Sequence, residues 1–242
     1  MNALNRYLKG AHRWMQVICV SAMCILSGAA NAHTPPADPA RFADEVAALV
    51  ARDASLQLPQ NGILFIGSSN IRKWPLKMGF PALTLINNGF GGSQVPDSTF
   101  YFDKLVLPFH PKLIIFHAGG NDISAGRTPT EVAGDVEDFI KKVHTELPDT
   151  KILYVGLFPA PSRWELQDKF HETTRLITSM IRPDRKVTFL NPEKPLLSAE
   201  GTIRPELYEG DRLHLNAQGY EFMSKIIAPY IKKASRKERC GL

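Results

Sequence analysis

The sequence has few cysteines and lacks the motifs of several common enzyme classes. Cys19 and Cys24 lie within the first 32 residues, so a chain without them keeps only Cys240. It then has no intrachain disulfide and no cysteine-based metal site. Four histidines show no metal-ligand spacing and are interpreted as surface or packing residues: His110, His117, His144 and His171. The absence of a Gly-x-x-x-x-Gly-Lys-Ser/Thr loop and of a Gly-x-Ser-x-Gly elbow argues against P-loop nucleotide binding and against the α/β-hydrolase fold.

The N-terminal segment has the pattern of a secretory signal of bacterial type. Arg6, Lys9 and Arg13 precede an apolar stretch at 17–26, and Ala30-Asn31-Ala32 forms an A-x-A cleavage site. Residues 1–32 are therefore predicted to be a signal peptide cleaved near Ala32, which places the mature protein in the periplasm or outside the cell. An uncleaved anchor is the alternative, although the apolar stretch is short for a bilayer.

The charge of the mature chain excludes some partners. Removing three basic residues with the signal lowers the formal net charge from +5 to +2. A nucleic-acid partner is not indicated, and no stable membrane association is expected after cleavage. The basic tail at 235–242 is interpreted as a solvated end of the chain. The pattern gives no indication of an oligomeric state.

Short apolar segments alternate with helical patterns, which predicts βαβ units and a mostly parallel five-stranded sheet. The predicted strands are at 63–66, 83–86, 112–117, 152–155 and 187–190. Helices are expected to begin near Asp38, Asn70, Thr128, Ser162 and Asn216. Capping boxes are predicted at Thr128–Glu131 and Ser162–Glu165, and Pro229 is expected to kink or end the last helix. This organisation predicts a linker at 33–37 and a single α/β domain at 38–234.

Polar residues follow three of the predicted strands. Ser68 and Ser69 follow the first, at the strand edge where α/β proteins bind ligands. A serine there can act as a nucleophile beside helix N–H groups, or it can simply cap the helix. A glycine pair that includes Gly92 follows the second strand, and Asn121 follows the third. The asparagine amide is a suitable uncharged donor to an oxyanion.

A general base is available near the C-terminus. Asp211 precedes His214 by three residues, so its carboxylate can bind one imidazole nitrogen and leave the other to take a serine proton. Taken alone, the pair can equally be a loop cap and a structural histidine. The combination of a serine, a glycine turn, an asparagine and this pair, each on an edge loop, favours a catalytic site.

These motifs resemble the four sequence blocks of the SGNH hydrolase superfamily, also called GDSL-like esterases and lipases. The blocks are Gly67-Ser68-Ser69, Asn88-Gly89-Phe90-Gly91-Gly92-Ser93, Gly119-Gly120-Asn121-Asp122 and Asp211-Arg212-Leu213-His214. The resemblance covers nearly all of the mature chain and is greatest to the bacterial secreted lysophospholipase and thioesterase-like branch. It implies a three-layer α/β/α, flavodoxin-like fold.

The resemblance also implies the roles of individual residues. Ser69 would be the nucleophile, His214 the base and Asp211 the residue that orients it. The Ser69 and Gly92 N–H groups and the Asn121 side chain would form the oxyanion hole. No metal or organic cofactor is implied. The usual Gly-Asp-Ser of the first block reads Gly-Ser-Ser here, so Ser68 takes the place of an aspartate.

The expected function is hydrolysis of carboxylic esters of small molecules, glycans or lysolipids, with thioesters as a further possibility. Ser68, Arg163 and Trp164 are candidates for substrate binding, and Trp164 can line an acyl or sugar pocket or sit at the edge of the core. The alternative is a non-catalytic envelope binding module on the same scaffold, which would have no need for Ser69, Asn121 and His214 together.

Overall fold

Five parallel strands form the centre of the domain, in the order β2-β1-β3-β4-β5. The computed structural model describes residues 34–235. The strands are β1 (Ile63–Gly67), β2 (Leu85–Gly89), β3 (Leu113–His117), β4 (Lys151–Val155) and β5 (Val187–Leu190). Every neighbouring pair is parallel, so the C-terminal ends of all five strands lie at one edge. The predicted α/β class and five-stranded parallel sheet are confirmed.

Helices connect the strands on both faces of the sheet. In chain order they are α1 (Ala43–Leu56), α2 (Ser69–Arg72), α3 (Leu76–Gly79), α4 (Val95–Phe100), α5 (Phe102–Leu105), α6 (Gly120–Ser124), α7 (Pro129–Glu146), α8 (Gln167–Ile181), α9 (Glu193–Leu196) and α10 (Ala217–Ser235). Short 3₁₀ segments lie at Pro39–Phe42, Leu107–Phe109, Pro161–Leu166 and Pro205–Leu207. The predicted capping box of α7 is present, because Thr128 Oγ1 accepts from Glu131 N at 3.2 Å and Glu131 Oε2 accepts from Thr128 N at 2.7 Å.

Alternate residues of the strands belong to two separate hydrophobic cores, one on each face of the sheet. Leu64 and Ile66 of β1 pack with α1, α7 and α8 on one face. Ile63 and Phe65 of the same strand pack with α3 and α10 on the other. Side chains of successive strand residues point to opposite faces, so a strand that is apolar throughout must be covered on both sides. The three-layer α/β/α arrangement follows.

Three local predictions need correction. The second strand extends to Gly89 instead of ending at residue 86, because its asparagines are satisfied in the interior: Asn88 Nδ2 donates to Leu105 O at 2.9 Å. Ser162 does not cap α8; it lies in the 3₁₀ segment Pro161–Leu166, and its N–H donates to Arg212 O at 3.0 Å. Of the two outcomes expected at Pro229, an end of the last helix is excluded, because that helix continues to Ser235 with the proline inside it.

Some predictions fall outside the described residues. The signal peptide at 1–32 and most of the tail at 235–242 belong to segments that the structure does not describe. The domain limits at 38–234 therefore remain predictions. Within residues 34–235, no helix combines the length and apolarity needed to cross a membrane.

Candidate active site

The end of β1 places two serines at the C-terminal edge of the sheet. Gly67 has a φ of 135°, and a Cβ on it would lie 2.0 Å from His117 O of the neighbouring strand. Only glycine allows this conformation and this close approach. The chain then turns, Ser68 N donates to His117 O at 3.0 Å, and Ser69 begins α2. Ser68 makes no side-chain cap to this helix, and the Ser69 hydroxyl has a different partner.

That partner is His214. The Ser69 hydroxyl lies 2.8 Å from His214 Nε2, and His214 Nδ1 lies 2.6 Å from Asp211 Oδ2. Because the carboxylate only accepts, Nδ1 carries the proton and Nε2 accepts from the serine hydroxyl. Ser69 and His214, which are 145 positions apart in sequence, thus belong to one series of hydrogen bonds that ends at Asp211. The geometry allows Nε2 to take the serine proton during an attack.

The loop that carries Asp211 and His214 is held by a backbone bridge at its base and by an ion pair to the helix of Ser69. Tyr208 and Leu215 form an antiparallel bridge at its base, and Arg212 turns the chain with a φ of 59°. Lys73, at the end of α2, forms an ion pair with Glu209 of the loop. The nucleophile helix and the acid–base loop are therefore held together directly.

The hydrogen bonds of Asp211 favour the ionised form of its carboxyl group. Its partial burial raises the pKa, but hydrogen bonds from the His214 side chain and from the His214 and Leu213 N–H groups outweigh this effect. The net result is a pKa well below the ordinary value of a carboxyl group. An ionised Asp211 keeps the imidazole in one tautomer and stabilises the imidazolium that forms when Ser69 loses its proton.

Asn121 joins two of the edge loops. Its Nδ2 donates to Ser93 O at 2.9 Å, which uses one of its two amide protons and leaves the other for a ligand. Gly92 precedes Ser93 in the same turn and has a φ of 72°. The next residue along the chain from Asn121 also holds this loop, since Asp122 Oδ1 accepts from Val95 N at 3.1 Å.

A narrow cavity of about 20 Å³ lies beside Ser69. The wall includes Ser68, Asn70, His117, Gly120, Asn121, Leu157, Phe158, Ala160, Arg163, Phe170 and Leu213. Two of the three predicted substrate-binding residues, Ser68 and Arg163, are therefore at the cavity, whereas Gly92 is not part of its wall. No carboxylate is among the residues that form this wall.

His117 lies in the cavity wall, although its sequence context predicts only a surface or packing histidine. It is 4% exposed, and its Nδ1 donates to Val155 O at 3.0 Å and Gly156 O at 3.1 Å. Burial lowers the pKa of His117 to about 4, so the ring is neutral near pH 7. Its position as the last residue of an apolar strand, at the same edge as Ser69, is the sequence signal that marks it.

Trp164 lies away from this cavity. It is 44% exposed, and it contributes to a wider groove of about 430 Å³ with Pro161, Thr202, Ile203, Pro205 and Arg212. Arg212 lies between Asp211 and His214 in sequence, so the groove adjoins the acid–base loop. Any contact of Trp164 with a substrate would therefore involve the portion of the substrate that lies outside the cavity.

A metal ion would compete with the hydrogen bonds of the site. Among residues 34–235, Glu209, Asp211 and His214 form a group of possible ligands whose donor atoms lie within 4.8 Å of one another. Asp211 and His214 already bind each other, and Glu209 pairs with Lys73. Coordination of a metal ion by these residues would break the hydrogen bonds that link Asp211 through His214 to Ser69.

The fold and these edge loops together define an SGNH-type hydrolase. The chain belongs to the GDSL-like Lipase/Acylhydrolase family, whose profile matches residues 67–222. Membership of this family supports ester hydrolysis as the general activity.

The individual relatives share only low sequence identity with this chain. Subunit alpha2 of platelet-activating factor acetylhydrolase IB from Gallus gallus is 25% identical over 138 residues, 54% of this chain and 58% of that protein. The match thus spans less than two thirds of that relative's length. A GDSL-like lipase from Bacteroides thetaiotaomicron has a similar structure, with a TM-score of 0.63, 22% identity, and coverage of 81% of this chain and 98% of its own.

An acetylxylan esterase from Geobacillus stearothermophilus, solved as a catalytic mutant, has a TM-score of 0.57 and 12% identity. The similarity covers 74% of this chain and 96% of that one. At these identities the two structures show the shared fold alone.

Proposed function

We propose that the protein is a serine hydrolase that removes short acyl groups, acetyl foremost, from small-molecule or glycan esters. The observation that carries the proposal is the hydrogen-bonded chain from Ser69 through His214 to Asp211, with distances of 2.8 and 2.6 Å. Ser69 would attack the ester carbonyl while His214 takes its proton. His214 would then protonate the leaving alcohol, and water would hydrolyse the acyl-enzyme by the same route.

The developing oxyanion would be held by the Ser69 and Gly92 N–H groups and by the second amide proton of Asn121. Loss of one such donor typically lowers kcat by about 10²–10³. Asn121 and Ser69 face the same cavity, which supports the asparagine in this role. No step needs a metal or an organic cofactor.

The preference for short acyl groups rests on the size of the cavity. A space of about 20 Å³ is close to that of a single water molecule. The names of two relatives, an acetylhydrolase and an acetylxylan esterase, refer to acetyl groups in those proteins. Thioesters and lysolipids use the same acyl-transfer chemistry, but a long acyl chain exceeds this cavity. We further propose that the enzyme acts in the periplasm or outside the cell, after removal of residues 1–32.

The test is hydrolysis of p-nitrophenyl acetate, butyrate and a long-chain ester by the mature protein. Ser69→Ala and His214→Ala are expected to lower kcat by at least about 10⁴-fold, whereas Ser68→Ala keeps measurable turnover. If Ser68→Ala alone abolishes turnover, the assignment of the nucleophile is wrong by one residue.

Covalent labelling separates hydrolysis from the binding-module alternative. A fluorophosphonate should modify Ser69 in the wild type and nothing in Ser69→Ala. A wild-type protein that is neither labelled nor active on any of the three esters would contradict the proposal.

A further inference from the structure

Arg163 contacts the active site through Asn121. Its Nη2 donates to Asn121 Oδ1 at 2.8 Å, although the residue lies in the 3₁₀ segment Pro161–Leu166, 42 residues further along the chain. The side chain is half-buried at the cavity. Within residues 34–235, no carboxylate oxygen comes within 4.0 Å of this guanidinium. The amide of Asn121 is thus its main polar contact.

The two partners of Asn121 leave its amide only one orientation. A guanidinium has donors and no acceptor, so the atom it contacts must be Oδ1. Ser93 O is an acceptor, so the atom opposite must be Nδ2. A flipped amide would place two donors against each other and two acceptors against each other, and would lose both hydrogen bonds.

We propose that Arg163 is a positioning residue for the oxyanion hole, which it serves by fixing and polarising the Asn121 amide. A charged donor on Oδ1 draws electron density from the amide and makes the Nδ2 protons stronger donors. The inference rests on the proposed function, and it assigns Arg163 a task other than direct substrate binding. Arginine suits this task because it remains protonated when partly buried.

The glycine before Asn121 makes room for this contact. A Cβ on Gly120 would lie 3.2 Å from Arg163 Nη1, so any larger residue would press on the guanidinium. Gly120→Ala should therefore reproduce part of the effect of losing Arg163. Gly134 offers a matched control, since a Cβ there meets nothing within 4 Å.

The kinetic test uses Arg163→Met on p-nitrophenyl acetate, with Arg175→Met as the matched control on the exposed side of α8. Arg163→Met is expected to lower kcat by about 10–100-fold, less than the loss of a whole donor, with KM within about twofold. Arg163→Lys should recover part of the loss. Gly120→Ala should lower kcat in the same direction, and Gly134→Ala and Arg175→Met should not.

A double-mutant cycle decides whether Arg163 acts through Asn121. In an Asn121→Ala background, Arg163→Met should change kcat by less than about threefold, because the residue it positions is gone. Full additivity of the two losses, or a rise in KM at constant kcat, would overturn the proposal in favour of substrate contact.

A spectroscopic readout keeps this test separate from that of the hydrolase activity. The side-chain ¹H–¹⁵N pair of Asn121, assigned by its loss in Asn121→Asp, should shift in Arg163→Met and remain in place in Arg175→Met. An unchanged pair would overturn the positioning role even in an active enzyme. Failure of the wild type to hydrolyse any ester would instead contradict the proposed function.

Discussion

Replacing Leu157 by alanine is expected to widen the acyl preference. Leu157 is 5% exposed and belongs to the wall of the 20 Å³ cavity. Butyrate exceeds acetate by two methylene groups, and the substitution removes three carbons, so the new space accommodates the longer chain. One misfitting methylene in an apolar pocket is worth about 1–3 kcal/mol, or about 10–200-fold. Wild-type kcat/KM should therefore be at least about tenfold lower for p-nitrophenyl butyrate than for the acetate, and Leu157→Ala should bring the two close together.

Leu196→Ala separates this effect from a loss of stability. Leu196 is fully buried in the other core and does not contribute to the cavity. Both substitutions should lower the free energy of unfolding by about 2–5 kcal/mol, but only Leu157→Ala should change the butyrate-to-acetate ratio of kcat/KM. Equal rates on both esters in the wild type, or the same change of ratio in Leu196→Ala, would refute the reasoning.

Three further predictions concern single residues. Burial raises the pKa of Asp122 from 3.8 to about 7, so its stabilising contribution is complete below pH 4 and is lost as the pH rises towards 7. The free energy of unfolding, measured in urea at pH 4, 5.5 and 7, should depend less on pH in Asp122→Asn than in the wild type. The removed pH dependence should be on the order of 1.4 kcal/mol for each unit of pKa difference; parallel curves would contradict this. Asp211→Asn should lower kcat by up to about 10⁴-fold because the imidazole would lose its tautomer control, and an unchanged kcat would exclude Asp211 from the reaction. Trp164→Ala should reduce kcat/KM more for an acetylated oligosaccharide than for p-nitrophenyl acetate, because Trp164 faces the outer groove; equal losses on both substrates would exclude such a contact.

The sheet could be predicted because its signal is local. Most of the strands are short apolar stretches, and the edge turns after the first three strands follow directly in sequence. This logic predicted Ser69 and Asn121 at one edge, while the Asp211–His214 pair was predicted from its own spacing; the structure brings Ser69 and His214 to 2.8 Å.

The details that could not be predicted depend on contacts between distant segments. Arg163 meets Asn121 because a 3₁₀ segment, and not the expected start of a helix at Ser162, precedes α8. That segment is held by the bond from Ser162 N to Arg212 O, which no pattern of neighbouring residues encodes. The cavity and the neutral state of His117 likewise arise from packing.

The charge of the cavity gives a physical account of Ser68, which replaces the aspartate usual in the first block. Ser68 is 6% exposed, so a carboxylate at this position would need a compensating cation. Burial lowers the pKa of His117 to about 4 and holds the ring neutral, although its bonds to two carbonyl groups act in the opposite direction, and Arg163 is bound to Asn121. A neutral hydroxyl at position 68 avoids this cost, so the departure at this position is consistent with an active hydrolase.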